Sequence, residues 1–233
     1  MSTLREILGN SQYWGLTLSI AAYLFACWLK QKTKLAFLNP ILVSVIVIIA
    51  FLLGVGIDYD TYNKGASYLS WLLTPATVCL AIPLYKQLHL LKKHGAAVAV
   101  SITSGVATSA VSIFLMCRVL GLSHTHYVTL LPKSITTAIG MGVSEEAGGI
   151  VTLTVVSIIV TGIIGNIIAD LVFRLLKIEE PMAKGLALGT SAHAIGTARA
   201  LELGEVEGAM SSLAIAVAGI LTVIVVPLIS EMI

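Results

Sequence analysis

The sequence predicts an all-α integral membrane protein, a polytopic bundle of about six to eight transmembrane segments. Of its 233 residues, 57% are hydrophobic and 11% are charged, whereas a soluble domain carries about 25% charged residues. Long apolar runs recur along the chain. Prolines or clustered glycines interrupt three of these runs, which predicts two or three discontinuous or re-entrant helices.

Several apolar runs are long enough to cross a bilayer. They are residues 12–29, 36–57, 95–118, 150–173 and 210–229. A further apolar segment, residues 67–91, contains Pro75 and Pro83, so we expect its helix to be kinked or discontinuous. Residues 95–118 are rich in alanine, serine, threonine and glycine, which favours close packing against other helices.

The positions of the basic residues predict the orientation in the membrane. The loops at residues 30–34 and 86–93 are basic, and the acidic loop at 58–64 lies between them. Because cytoplasmic loops are enriched in lysine and arginine, the basic loops belong inside and the N-terminus outside. The basic loop at 174–184 also lies inside if residues 124–149 form a re-entrant hairpin. We expect a multi-pass protein of the bacterial plasma membrane.

A polar, glycine-rich stretch at residues 185–202 lies between two apolar segments. Hydrocarbon strongly penalises unpaired polar groups, so this stretch must face protein or a water-filled cavity. We therefore expect it to contribute to a substrate-binding site. The candidate residues are Thr190, Ser191, His193, Thr197 and Arg199. The sequence leaves open whether the stretch crosses the membrane or re-enters.

Two of these candidates have competing interpretations. His193 is either a proton carrier or a hydrogen-bonded structural residue. Arg199 can bind a carboxylate in a bidentate way, but Glu202 stands at the spacing of a helical ion pair. If the stretch is one helix, Thr190, His193 and Thr197 lie on one face.

Residues 124–149 combine a proline, glycines, hydroxyl side chains and a cation within an apolar frame. A cation at membrane depth, here Lys133, costs about 3 kcal/mol or more unless it is paired or hydrated. A bound carboxylate would pair with Lys133, and the hydroxyls of Ser134, Thr136 and Thr137 would complete the site. The alternative is that Lys133 extends to the interface from a helix end.

Asp170 is the remaining charged candidate. It follows Asn166 by one helical turn and so shares its face. Asp170 is either an ion- or proton-coupling residue or a structural residue near the cytoplasmic boundary.

Short internal matches suggest two related parts, with an inverted repeat as one interpretation. Residues 73–82 align with 130–139, and residues 137–140 resemble 193–196. Chance similarity between common membrane residues explains such short matches equally well. Paired broken helices are nevertheless typical of transporters that bind substrate near the bilayer midplane.

We predict one integral membrane domain over residues 1–233. Residues 1–120 would supply scaffold spans, and residues 121–233 a core of broken helices. The core would rock or move as an elevator relative to the scaffold.

Motifs for catalysis and cofactor binding are absent from the sequence. It contains no HExxH, GxSxG or phosphate-loop pattern. Its cysteines, Cys27, Cys79 and Cys117, lie in apolar segments without metal-ligand spacing. We predict that the chain is not an enzyme, needs no cofactor or metal, and binds no nucleic acid.

Segments along nearly the whole chain together resemble the LrgB/CidB family of membrane proteins. They are Asn39–Ser44, Gly56–Tyr62, Pro75–Tyr85, Leu131–Thr137 and Lys184–Gly196. The last two segments are the most specific.

The resemblance implies one of two functions. Bacterial members are described as holin-like or antiholin-like regulators of murein hydrolase export and autolysis. A plastid relative transports glycolate and glycerate, and some bacterial members are associated with pyruvate movement. The buried cation and hydroxyls favour a transporter of small monocarboxylates with a site between residues 130–142 and 186–199. The holin/antiholin-like regulator is the alternative.

The expected partners follow from the composition, the candidate site and the resemblance. They are the lipid bilayer, the carboxylate substrate and a small LrgA/CidA-like membrane protein, with a homo-oligomer as a further option.

Overall fold

The computed structural model describes residues 11, 13–33, 40–72, 75, 78–79, 81–86 and 88–233. All regular structure within these residues is helical, as the composition predicts. The described chain divides into two compact units, residues 1–79 and 80–233. The predicted break around Pro75 falls largely among residues outside this description.

The first unit contains α1 (Trp14–Thr33), α2 (Pro40–Val55), α3 (Tyr59–Ala66) and the short α4 (Tyr68–Trp71). Gly15 in α1 lies against the backbone of Tyr62 in α3, where a larger side chain has no room. The Ser19 and Tyr62 hydroxyls are 2.6 Å apart, and the ring centroids of Trp14 and Tyr62 are 5.8 Å apart. These contacts hold α3 against the start of α1.

The second unit contains the remaining helices. They are α5 (Ala81–Lys86), α6 (Leu88–Leu120), α7 (His124–Leu130), α8 (Thr137–Glu146), α9 (Val151–Leu175), α10 (Pro181–Leu203) and α11 (Glu205–Ile229). Among the described residues, three helical segments are long and apolar enough to cross a membrane: Lys92–Leu120, Val151–Leu175 and Glu205–Met232. They coincide with the predicted spans at 95–118, 150–173 and 210–229.

α7 and α8 form an antiparallel helical hairpin, called here the first hairpin (residues 124–146). The Thr154 hydroxyl of α9 lies 2.9 Å from the Thr129 carbonyl oxygen and 2.6 Å from the Ser144 hydroxyl oxygen. Along one straight helix, Thr129 and Ser144 would be about 22 Å apart. The chain therefore reverses direction between them, through the turns at residues 131–136, which form the tip.

α10 also reverses direction, and its two halves form the second hairpin (residues 181–203). Ala192 and His193 leave the helical conformation, with φ/ψ of −128°/15° and 42°/−135°. A Cβ atom on Gly196 would lie 2.5 Å from the Leu188 carbonyl oxygen, whereas one straight helix would separate these residues by about 12 Å. Residues 194–203 therefore run back alongside residues 181–191.

This reversal bears on a question that the sequence leaves open. The second hairpin begins and ends at the same end of the helix bundle. Because the helix breaks at Ala192 and His193, the condition of one continuous helix is not met, and Thr190, His193 and Thr197 do not share one helical face.

Two contacts to α9 hold the break in α10. The His193 Nε2 lies 2.9 Å from the Ile158 carbonyl oxygen, and the Asn166 side-chain amide donates to the Ile195 carbonyl oxygen at 3.1 Å. A positive φ in a residue other than glycine costs about 1–3 kcal/mol and persists only where neighbouring contacts enforce it. These contacts to α9 supply that constraint at His193.

The two hairpins meet near the middle of the three long helices. A glycine stands close to the middle of each helix, and a residue at or near a hairpin tip packs against it. Cβ atoms built on these glycines show how close the packing is. Gly105 would meet Thr190 Cγ2 at 2.5 Å, Gly162 would meet His193 Cε1 at 2.8 Å, and Gly219 would meet Ile139 Cδ1 at 2.9 Å.

Candidate functional site

A cavity of about 730 Å³ lies in the second unit. Its walls come from α6, the first-hairpin tip, α9 and the first half of α10. Four of the predicted site residues line it: Lys133, Ser134, Thr190 and Ser191. The structure thus brings the two polar stretches of the sequence to one cavity.

Lys133 is the only charged side chain among the described residues that line the cavity. Its Nζ donates a hydrogen bond to Ser134 Oγ at 3.1 Å, and Ser134 Oγ lies 3.1 Å from Ser109 Oγ. Lys133 is half-buried, while Ser134 is buried. An ammonium group without an acidic neighbour in this lining makes this end of the cavity favourable for an anion.

A row of hydroxyl side chains on α6 forms the polar wall of the cavity. Its members are Ser101, Ser104, Thr108, Ser109 and Ser112. Ser104 donates to the Ser101 carbonyl oxygen and Ser112 to the Ser109 carbonyl oxygen, both at 2.9 Å. Since these hydroxyl protons are used within the helix, their oxygens can accept hydrogen bonds from water or a ligand.

The sequence interpretation missed this hydroxyl row. Small residues at 95–118 are predicted to pack against other helices, and Gly105 does pack against Thr190. The serine and threonine members instead line the cavity. Ser101, Ser104, Thr108 and Ser112 are three to four residues apart and so share one helical face, which is the signal that could have revealed the row.

α9 forms the apolar wall. Ile164, Ile168 and Val172 line the cavity at successive helical turns, Phe173 lies next to Val172, and Thr161 lies one turn before Ile164. The cavity therefore has one wall of hydroxyl groups, one wall of hydrocarbon and a cation. This combination is suited to an organic anion rather than to an inorganic one.

Other predicted site residues lie outside the cavity lining. Thr136 and Thr137 begin α8, where Thr136 is the N-cap residue. His193 is directed at the Ile158 carbonyl oxygen. Thr197 is buried, with its hydroxyl 2.7 Å from that of Ser211 in α11. The hydrogen bonds of His193 and Thr197 join helices to one another, which is the structural interpretation of these residues.

Arg199 is held by two carboxylates. Its guanidinium nitrogens lie 2.6 Å from Glu202 and 2.5 Å from Asp170. The Glu202 pair is the one that the spacing predicts, whereas Asp170 belongs to α9 and is a partner that spacing alone does not reveal. Neither Arg199 nor Asp170 is among the cavity-lining residues. Their ion pair joins the second hairpin to α9.

Comparisons with known proteins agree over nearly the full length of the chain. The chain is 39% identical to the antiholin-like protein LrgB of Bacillus subtilis (strain 168), over 96% of this chain and 97% of the relative. It is 40% identical to the holin-like protein CidB of Staphylococcus aureus (strain Mu50 / ATCC 700699), over 90% of this chain and 92% of the relative. No solved structure shows a significant match.

The model of the LrgB-like family matches residues 19–232. This range includes both hairpins and all of the cavity lining. The resemblance carried by segments such as Leu131–Thr137 and Lys184–Gly196 is thereby confirmed, and the chain belongs to the LrgB-like family.

Proposed function

We propose that the chain is a holin/antiholin-like regulator of murein hydrolase export and autolysis in a bacterial plasma membrane. The observation that carries this proposal is the likeness to relatives named antiholin-like LrgB and holin-like CidB, at 39% and 40% identity. Expression in a Bacillus subtilis strain that lacks its own LrgB relative tests it. The autolysis rate should return towards the wild-type value, and an unchanged rate would contradict the regulatory role.

A second candidate function is the transport of small monocarboxylates such as pyruvate, glycolate or glycerate. The cavity that contains Lys133 favours it, because a pore that passes large solutes needs no half-buried cation beside hydroxyl groups. Two hairpins whose tips meet near the middle of the long helices also match the general design of secondary transporters. In this proposal a small LrgA/CidA-like partner would assist the chain.

The proposed membrane arrangement follows from the second unit. α6, α9 and α11 would cross the bilayer, and each hairpin would enter and leave on one face. Most lysines and arginines of this unit lie at the end of the bundle where the second hairpin starts: Lys92, Lys93, Arg174, Lys177 and Lys184. The positive-inside rule favours a cytoplasmic location for that end.

Transport would require the hairpins to move as a body past the other spans, by rocking or as an elevator. The contacts between α9 and each hairpin support a body of this kind, since bonds at Thr154, His193 and Arg199 each join a hairpin to α9. A total of six to eight membrane segments and an external N-terminus remain predictions.

Purified protein in liposomes distinguishes the two candidates. The vesicles would contain a trapped fluorescent dye and be exposed to labelled pyruvate or glycolate, with and without a co-expressed small partner. A transporter takes up the carboxylate while the dye stays inside. A holin-like lesion releases the dye. Empty liposomes are the control, and uptake no greater than theirs would reject transport.

A further inference from the structure

The apolar wall of the cavity has no role in binding pyruvate or glycolate. Ile164, Ile168, Val172 and Phe173 present hydrocarbon along successive turns of α9. The cation and the nearest hydroxyls, those of Ser134 and Ser109, stand at one end of the cavity. A carboxylate bound to Lys133 would therefore have its remaining atoms beside the hydrocarbon of α9.

The size of the cavity also favours a ligand larger than pyruvate or glycolate. Its volume of about 730 Å³ falls within the range of about 300–1,000 Å³ that is typical of sites for drug-sized ligands. The hydroxyl row from Ser101 to Ser112 extends along α6 for about 16 Å. A three-carbon acid would leave most of this space to water, including the water against the isoleucines of α9.

We propose that the cavity binds monocarboxylates with an apolar side chain, such as longer α-keto acids, in preference to pyruvate or glycolate. This inference rests on the second candidate function and names its substrate class. The carboxylate pairs with Lys133 and Ser134, the hydroxyl row binds water along the α6 wall of the cavity, and the aliphatic chain lies on Ile164 and Ile168.

A homologous series of ligands tests the proposal. The series is pyruvate, α-ketobutyrate, α-ketovalerate and α-ketocaproate, with glycerate and gluconate as polar comparisons. Binding is measured as the ligand-dependent shift in thermal unfolding of the purified full-length protein in detergent. We expect the affinity to rise about fourfold for each added methylene group, as burial of a CH₂ group predicts.

Two variants of α9 distinguish the contribution of the apolar wall to binding from general effects of a substitution in this helix. Ile168→Thr should flatten the affinity gradient, with the largest loss of affinity for α-ketocaproate and the smallest for pyruvate. Leu171→Thr is the matched control, because Leu171 is an exposed apolar residue of the same helix and does not line the cavity. The gradient should persist in that variant.

The outcomes distinguish this inference from the function on which it rests. If pyruvate binds and the longer acids bind no more tightly, the inference is overturned and the carboxylate site remains. Tighter binding of glycerate and gluconate than of α-ketocaproate also overturns it. If no acid in the series stabilises the protein, both the inference and the carboxylate site fail.

Discussion

Replacing Gly196 with alanine should strongly destabilise the protein. The new Cβ atom would lie 2.5 Å from the Leu188 carbonyl oxygen and 2.7 Å from Ala192 Cβ, so the two halves of the second hairpin could not pack as they do. Overpacking in a core costs about 1–3 kcal/mol, and here the obstacle includes backbone. We expect the midpoint of thermal unfolding to fall by roughly 5–10 °C, or the protein to be lost during purification.

Gly142→Ala is the matched control for this substitution. Gly142 lies within α8, and a Cβ atom there meets nothing within 4 Å. Because alanine favours the helix over glycine by about 1 kcal/mol, this variant should be as stable as the wild type or more so. Equal unfolding midpoints for Gly196→Ala and Gly142→Ala would contradict the helical hairpin at residues 181–203.

Replacing Lys133 with glutamine should remove most carboxylate binding without unfolding the protein. Hydrogen bonds to a charged group contribute about 1.5–3 kcal/mol, so the loss should weaken binding by roughly tenfold to a hundredfold. The bond from Lys133 Nζ to Ser134 Oγ is one that the glutamine amide can replace. Binding is measured by thermal shift with pyruvate and with α-ketocaproate.

Two further variants make the Lys133 result specific. Lys133→Arg keeps the charge and should retain part of the affinity. Lys184→Gln removes the charge of a lysine that does not line the cavity. This variant should bind carboxylates as tightly as the wild type does. Wild-type affinity in Lys133→Gln would exclude this lysine from the site.

The sequence predicts the long helices well because the length of an apolar run alone decides whether a helix can span a bilayer. The predicted span at 150–173 corresponds to α9, Val151–Leu175. The glycine-rich stretch is similarly informative, since its polar residues do not tolerate lipid. Its composition alone therefore indicates that it faces a cavity or a protein interface.

The position of the break in α10 could not be predicted in the same way. Ala192 and His193 are not residues that usually end a helix, and Gly189 and Gly196 on either side are stronger signals. The conformation of His193 depends on the carbonyl oxygen of Ile158 in another helix. Such tertiary contacts outweigh local preference and leave no pattern in the neighbouring sequence.

The polar wall of the cavity is a second feature that could not be predicted from the sequence. Serine and threonine on a membrane helix are equally compatible with close helix packing and with a wet surface. In α6, close packing and a cavity-lining surface occur on neighbouring turns. Gly105 packs against Thr190 and also borders the cavity, while Thr108 lines the cavity one turn further on. Only the arrangement of the neighbouring helices decides between them.

The central claim is that a water-filled, positively charged cavity lies at membrane depth between the two hairpins. Thiol labelling of Thr108→Cys with a membrane-impermeant reagent, in a background without Cys27, Cys79 and Cys117, tests it most directly. Val111→Cys is the control, because Val111 lies on the outer surface of the proposed membrane span α6 and outside the cavity lining. A cysteine there would face lipid and react slowly with a membrane-impermeant reagent. We expect the cysteine at 108 to react rapidly with the reagent. A bound carboxylate should slow this reaction when Lys133 is present, and should not slow it when Lys133 is replaced with glutamine. Labelling at 108 as slow as at 111 would contradict the cavity.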